Sequence, residues 1–164
     1  ARGLEGIVAK RISSPYEVGR RSRSWRKIKT VLDADVVIGG WSEGKGHRST
    51  SLGALLVGAY ADGELRYVGE VGTGFDDRTL SRLLSELALR PAERSPFGLA
   101  SMEGAPREVR IAHWVRPELV ASVEFRELTS AGKLRAGSFK GLRADKAPEE
   151  CTFSDLQRAA PTYN

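Results

Sequence analysis

The chain has 164 residues, of which 40% are hydrophobic and 29% charged, which is typical of one folded domain with an appendage. Its single cysteine, Cys151, and its two widely spaced histidines exclude a disulfide framework and a Cys/His zinc site. No run of about eighteen apolar residues occurs, so we expect a soluble, cytoplasmic protein. Because the start at Ala1 has no initiating methionine and no signal-peptide core, we expect a fragment or a processed piece.

The formal net charge of +5 is unevenly distributed along the chain. Residues 1–30 hold nine Lys or Arg against two acids, whereas residues 31–164 hold seventeen against nineteen. A second basic cluster has only Asp145 as an acid within it and comprises Lys133, Arg135, Lys140, Arg143 and Lys146. Two separated basic patches favour a polyanionic partner such as nucleic acid, or a nucleotide together with nucleic acid.

Two short patterns near the start alternate charged and apolar residues: Glu5-Gly6-Ile7-Val8-Ala9-Lys10 and Ser24-Trp25-Arg26-Lys27-Ile28-Lys29. In a strand, Trp25, Lys27 and Lys29 share one face. Ammonium groups beside an indole, with a carboxylate and a third lysine nearby, can form a wall for a nucleotide triphosphate and its metal. A solvated or edge-protecting basic face is the alternative. Two such strands bury too little apolar surface to stand alone, so residues 1–32 are predicted to end a larger domain.

From residue 36 the pattern changes to short β-branched runs separated by turns. Strands are predicted at residues 36–41, 52–60 and 65–71, and Asp62-Gly63 predicts a type I′ turn between the last two. The Gly-rich loop at residues 42–51 resembles a P-loop only superficially, because a buried strand follows it instead of a helix. We therefore interpret it as a mobile hairpin loop that can contact a nucleic-acid backbone.

A helix is predicted to start at Asp76-Asp77 and to end at Arg90-Pro91, with one apolar stripe formed by Leu80, Leu83, Leu84 and Leu87. A polar connector at residues 91–108 precedes predicted strands at 109–114 and 119–128. A turn follows at 130–132, then a basic segment at 134–143. The pattern predicts a mainly β fold with one inserted amphipathic helix, for which an OB-fold Greek-key barrel over residues 33–148 is the natural candidate. Residues 149–164 are predicted to be a C-terminal tail with a short helical turn near 153–158.

Three motifs in this order resemble the C-terminal half of ATP-dependent DNA ligases: Glu5-Gly6-Ile7-Val8-Ala9-Lys10, Trp25-x-Lys27-x-Lys29 and Phe139-Lys140-Gly141-Leu142-Arg143-x-Asp145-Lys146. Residues 36–40, 65–75 and 114–125 are most similar to the ligase domain of bacterial end-joining ligases. The resemblance implies that residues 1–32 are the end of the adenylation (nucleotidyltransferase) domain, followed by the OB domain. Its implied reaction is the sealing of nicked or broken DNA in repair, recombination and non-homologous end joining.

The resemblance also implies roles for individual residues. Glu5 matches a metal-associated glutamate, Lys10 a lysine that contacts ATP, and Lys27 and Lys29 the pair that holds the α-phosphate. Arg143, Asp145 and Lys146 match the terminal motif that the OB domain brings over the nucleotide to orient pyrophosphate, and Asp33 lies near the family's hinge position. The candidate contacts to DNA phosphates are Lys45, His47, Arg48, Lys133, Arg135 and Lys140; solvated loop positions are the alternative.

One departure from the family pattern limits what the chain does alone. Ligases form a lysine–AMP intermediate on a Lys-x-Asp-Gly element, and none of the seven lysines here is followed by x-Asp-Gly. No catalytic nucleophile is therefore expected in this chain, and ATP and Mg²⁺ or Mn²⁺ are expected to need the missing catalytic half. Expected partners are nicked or broken duplex DNA, the adenylation domain in cis or in trans, and end-joining proteins such as Ku, in a bacterial, nucleoid-associated location. Two alternatives stay open: a non-enzymatic DNA-binding or complementing module, and a relative of mRNA-capping guanylyltransferases.

Overall fold

The computed structural model describes residues 6–10, 25–29, 31–44, 51–110 and 112–160. The first two strands, β1 (Gly6–Lys10) and β2 (Trp25–Lys29), pair antiparallel as a separate two-stranded sheet. Both strands fall where the alternating patterns predict them. The remaining strands are β3 (Leu32–Glu43), β4 (Leu52–Ala61), β5 (Glu64–Val71), β6 (His113–Phe125), β7 (Glu127–Leu128), β8 (Leu134–Arg135) and β9 (Ser138–Leu142).

Five of these strands form one sheet in the order β5-β4-β3-β6-β9, with every neighbouring pair antiparallel. The two edges meet through a parallel bridge between Val71 and Gly137, and the Phe139 N–H donates to the Thr73 carbonyl at 2.8 Å. The sheet therefore closes between β5 and β9, which are its third and fifth strands in chain order. This closure is the topology of an OB-fold barrel. The predicted fold class is thereby confirmed.

Two local predictions are confirmed. Asp62 and Gly63 have φ angles of 53° and 81°, which are the left-handed values that a type I′ turn requires between β4 and β5. The helix α1 spans Asp77–Ala88, and the Asp76 carboxylate accepts the Thr79 N–H at 2.7 Å as its N-cap. Within the apolar stripe of α1, Leu83 and Leu87 are buried.

The region between α1 and β6 differs from its prediction. The connector contains a 3-10 turn (Leu99–Met102) and a short helix, α2 (Arg107–Arg110), so the strand predicted at residues 109–114 begins only at His113. The chain then continues as one strand through Pro117, where two strands were predicted. Proline is tolerated because the register shifts there: Gly40 pairs with Trp114, whereas Ile38 pairs with Leu119.

Alternate residues of the barrel strands point into two different apolar clusters. Val36 and Ile38 face the barrel interior, which α1 and β6 also line, whereas Val37 and Leu56 face outward. The connector covers this outer face, with buried Phe97 packed so closely that a Cβ at Gly39 would lie 2.4 Å from its ring. The outer face of β4 and β5, the second and third barrel strands, corresponds to the face that other OB folds use to bind oligonucleotides, and here the connector packs on it.

The segment after residue 148 packs on the barrel. It contains a 3-10 turn (Pro148–Glu150) and the helix α3 (Phe153–Ala159), longer than the predicted single turn. The Tyr60 N–H donates to the Cys151 carbonyl at 2.8 Å, and Leu156 is fully buried in the interior cluster. The division of the chain at residues 32 and 148 stays a prediction. None of the helices described is long and apolar enough to cross a membrane.

Candidate phosphate-binding site

The pairing of β1 with β2 places the predicted phosphate-contacting lysines at defined positions. Lys10 is directly opposite Trp25, Val8 is opposite Lys27, and Gly6 is opposite Lys29. Because directly opposed residues share a face of an antiparallel pair, Lys10, Lys27 and Lys29 belong to the same face. The role of the three lysines in contacting phosphate stays a prediction. Glu5, the predicted metal residue, lies outside the described residues.

The terminal motif follows β9 directly, and its position is fixed by the barrel. The Arg143 N–H donates to the Val120 carbonyl of β6 at 2.8 Å. The Arg143 guanidinium forms a two-pronged pair with Asp145, with Nε and Nη2 each 2.8 Å from a carboxylate oxygen. This pair lowers the pKa of Asp145 from 3.8 to about 2 and raises that of Arg143. The fork of Arg143 is thus oriented by its own motif.

Asp35 joins the two cations of this motif and was not among the predicted site residues. It lies on β3, and its side chain is only 15% exposed. The Lys146 Nζ donates to Asp35 Oδ2 at 3.0 Å, and Arg143 Nη1 lies 3.4 Å from both carboxylate oxygens. The hydrogen bond to Asp35 raises the pKa of Lys146. Two cations therefore converge on one carboxylate oxygen.

This donor set fits a phosphate group. Arg143 supplies a planar fork and Lys146 a point charge, and both already lie within hydrogen-bonding or ion-pair distance of one oxyanion. Their side chains are 40% and 24% exposed, so solvent reaches both. For a metal ion the residues offer less: in the described part of the chain, no group of three or more His, Cys, Asp or Glu side chains is arranged to hold one. The predicted metal role of Glu5 stays a prediction.

The predicted DNA contacts fall into three classes. Lys45, His47 and Arg48 lie outside the described residues. Lys140 and Arg135 are exposed but each forms a cross-strand ion pair, Lys140 with Glu124 at 2.6 Å and Arg135 with Glu127 at 2.8 Å. Exposed pairs of this kind are weak, so a DNA phosphate can replace the carboxylate partner at little cost.

Lys133 forms the third class, because it is half-buried and its ammonium group is bound by backbone carbonyls. Its Nζ donates to the carbonyls of Tyr67 and Ser101 at 2.6 and 2.7 Å, and it lies 4.5 Å from the centroid of the Tyr67 ring. Desolvation lowers the pKa of Lys133. These contacts use two of its three N–H donors to connect the β8 hairpin to β5 and the connector.

Arg126 is a candidate that sequence reasoning missed. It lies between β6 and β7, beside the hairpin that corresponds to the loop between the fourth and fifth strands of an OB fold, a common nucleic-acid contact. Its N–H donates to the Arg135 carbonyl at 3.0 Å. Its side chain is exposed and makes no ion pair with any described residue. In the sequence, Arg126 shortly precedes the basic cluster that begins at Lys133, and this position could have identified it as a candidate.

Comparison with known proteins identifies the family to which the chain is similar. A family model described as the C-terminal region of ATP-dependent DNA ligases matches residues 48–146. The multifunctional non-homologous end joining protein LigD of Mycolicibacterium smegmatis is 46% identical over 150 residues, covering 92% of this chain and 19% of that protein. A DNA ligase of Thermococcus onnurineus is 36% identical over 170 residues, covering 98% of this chain and 27% of that protein.

A solved structure extends the likeness to three dimensions. The crystal structure of the ligase domain of Mycobacterium tuberculosis LigD superposes with a TM-score of 0.68 at 42% identity, covering 90% of this chain and 47% of that chain. The chain thus spans 19% and 27% of the lengths of these two relatives. The residues matched by the family model include most of the barrel and the whole terminal motif. The chain belongs to the family of ATP-dependent DNA ligase C-terminal regions, of the bacterial end-joining type.

Proposed function

We propose that this chain provides the phosphate-contacting strands and the OB domain of an ATP-dependent DNA ligase that seals nicked or broken DNA. The observation that carries the proposal is the convergence of Arg143 and Lys146 on one carboxylate oxygen at the surface of the barrel. Such a pair can bind the oxygens of a departing pyrophosphate with the same donors. The family relationship supports the wider assignment.

In this role the two regions act on different parts of the nucleotide. Lys10, Lys27 and Lys29 hold the phosphates from the β1–β2 face and stabilise the charge that develops during adenylate transfer. Arg143 and Lys146 orient the pyrophosphate from the barrel. ATP supplies the adenylate group when bound, and Glu5 is the proposed contact for the divalent metal.

For DNA, we propose that the barrel contacts the phosphate backbone of the nicked duplex. Arg126 is exposed and unpaired among the described side chains, while Arg135 and Lys140 exchange their glutamates for phosphates. The loop residues Lys45, His47 and Arg48 complete the proposed surface. The part-buried hydrogen bonds of Lys133 to two backbone carbonyls favour a structural role for that residue.

The nucleophilic lysine must come from an adenylation domain in cis or in trans, because no Lys-x-Asp-Gly element occurs in the chain. In the cell we propose a cytoplasmic, nucleoid-associated location, with Ku as a partner during end joining. The LigD relatives named for non-homologous end joining support this context. The ligase matches favour this function over a stand-alone binding module and over a capping-enzyme relative.

The proposal is tested by single-turnover formation of the enzyme–adenylate in the ligase that contains this chain. Lys27→Ala and Lys29→Ala are each expected to slow adenylate transfer on the order of a hundredfold, as is common when a preorganised charge donor is lost. Arg158→Ala is the matched control, since Arg158 is a 78% exposed cation paired with Asp155 on α3. Wild-type rates in both lysine variants would defeat the proposed phosphate role.

A further inference from the structure

The cations of the terminal motif are neutralised in this structure by acids of the same domain. Arg143 and Lys146 carry two positive charges, and Asp35 and Asp145 carry two negative charges in direct contact with them. The group as it stands has no net charge with which to attract an anion. One of the acids must leave before a phosphate group can bind with full strength.

The two acids are not equivalent in this respect. Among the described residues Asp145 forms hydrogen bonds or ion pairs with Arg143 alone, through a two-pronged pair with both distances at 2.8 Å, and it is exposed. Asp35 contacts both cations, at the longer distances of 3.0 and 3.4 Å, through the carboxylate oxygen Oδ2. Asp35 is the acid that both cations share, so an anion that is held by Arg143 and Lys146 together takes the place of Asp35.

We propose that Asp35 is a positioning residue that occupies, as an internal anion, the place of a pyrophosphate oxygen between Arg143 and Lys146. When no pyrophosphate is bound, Asp35 keeps the two cations close together. When pyrophosphate is present, Asp35 competes with it for the two cations. Pyrophosphate binds by exchanging with the Asp35 carboxylate, and Asp35 recovers the cations when it departs. This inference rests on the proposed function for the identity of the anion; the exchange itself rests on the contacts of the three side chains.

The test is a titration of the 164-residue chain with inorganic pyrophosphate, followed by NMR of the Arg143 Nε–H and the Lys146 ammonium. Asp35→Asn removes the competing charge and keeps an oxygen that can accept from Lys146. We expect it to lower the Kd for pyrophosphate by about tenfold, since one charge-assisted contact no longer opposes binding. Asp35→Ser introduces a smaller neutral side chain and is also expected to lower the Kd for pyrophosphate. It keeps the test valid if the Asp35→Asn variant does not fold.

Asp155→Asn is the matched control. Asp155 lies close enough to raise the pKa of Lys146, yet its described hydrogen bonds and ion pair are with Thr152 and Arg158. Its loss therefore removes one nearby charge without removing a competitor, and we expect a change in Kd of less than about twofold. Equal effects of Asp35→Asn and Asp155→Asn, or weaker pyrophosphate binding in both Asp35 variants, would overturn the proposal.

A second measurement separates this proposal from the proposed function. In the ligase that contains the chain, Asp35→Asn is expected to lower the inhibition constant of pyrophosphate in the adenylation step by about tenfold, in parallel with the Kd. If the Kd falls in the chain and the inhibition constant does not change in the ligase, the exchange at Asp35 stands. The assignment of the terminal motif to the nucleotide would then be wrong.

Discussion

Two lysines of the basic cluster, Lys133 and Lys146, look alike in the sequence and have opposite surroundings in the structure. The Lys133 ammonium is bound to two neutral carbonyls, and burial lowers its pKa. The Lys146 ammonium is bound to a carboxylate, and that contact raises its pKa. Lys133 therefore connects parts of the fold, whereas Lys146 is a cation whose partner is a side-chain carboxylate.

The difference shows that a basic residue becomes a binding group only through its partner. Carbonyls fix an ammonium by geometry and cannot be exchanged without breaking the fold, because they belong to β5 and to the connector. A side-chain carboxylate can be replaced by another anion of similar geometry. By this criterion Lys146, Lys140 and Arg135 are available to phosphate, and Lys133 is not.

The largest effect that tests this comparison concerns stability. Lys133→Ala removes two hydrogen bonds and leaves partly buried carbonyls without them, so we expect a loss of about 2 to 3 kcal/mol in the free energy of unfolding. Urea denaturation of the chain measures it. Lys140→Ala, which removes only an exposed ion pair, is the control and should change the midpoint much less. Equal losses in the two variants would show that Lys133 is no more structural than a surface lysine.

A smaller effect concerns DNA binding by the chain, measured with a fluorescent nicked duplex over a range of salt concentrations. Arg126→Ala and Lys140→Ala should each reduce the slope of log K against log salt by about 1, because each removes one phosphate contact. Lys133→Met should leave the slope unchanged. A reduced slope in Lys133→Met, with no change in the other two variants, would reverse the assignment of these cations.

The smallest effect is the order in which the two ammonium groups lose their protons. The ordinary pKa of a lysine is 10.5, and it is lowered at Lys133 and raised at Lys146. By linkage, the contribution of Lys133 to stability grows as the pH rises towards 10.5, whereas that of Lys146 is complete below 10.5 and is lost above it. In a ¹⁵N NMR titration of the lysine Nζ atoms, Lys133 should deprotonate first. The reverse order would contradict the contacts described for both residues.

The features that could be predicted from the sequence are those that depend on residues close together in the chain. The turn at Asp62-Gly63 and the start of α1 at Asp76 depend on a few neighbouring residues, and both are confirmed. The continuation of β6 through Pro117 was missed, because the register shift that tolerates the proline depends on β3. The local sequence pattern therefore predicted the positions of most strands. It did not predict where a strand continues through a bulge or a proline.

The site divides in the same way. The spacing of Lys27 and Lys29 predicted that they share a face, and the register of β1 with β2 gives them that position. The terminal motif was identified by its resemblance to ligases. Asp35 was missed because it is 111 positions from Lys146, and the two are brought together by the sheet order, in which β3 and β9 both pair with β6. The inward direction of Lys133 is equally non-local, since its acceptors lie 66 and 32 positions away.

The most direct measurement of the central claim compares two steps of the ligase that contains this chain. If Arg143 and Lys146 orient pyrophosphate, Arg143→Ala and Lys146→Ala should each slow formation of the enzyme–adenylate by about tenfold or more, because a charge donor to the leaving group is lost. Sealing of a nick that is already adenylated should change by less than about twofold in the same variants, since no pyrophosphate departs in that step. Unchanged adenylation, or equal losses in both steps, would contradict the role of the terminal motif.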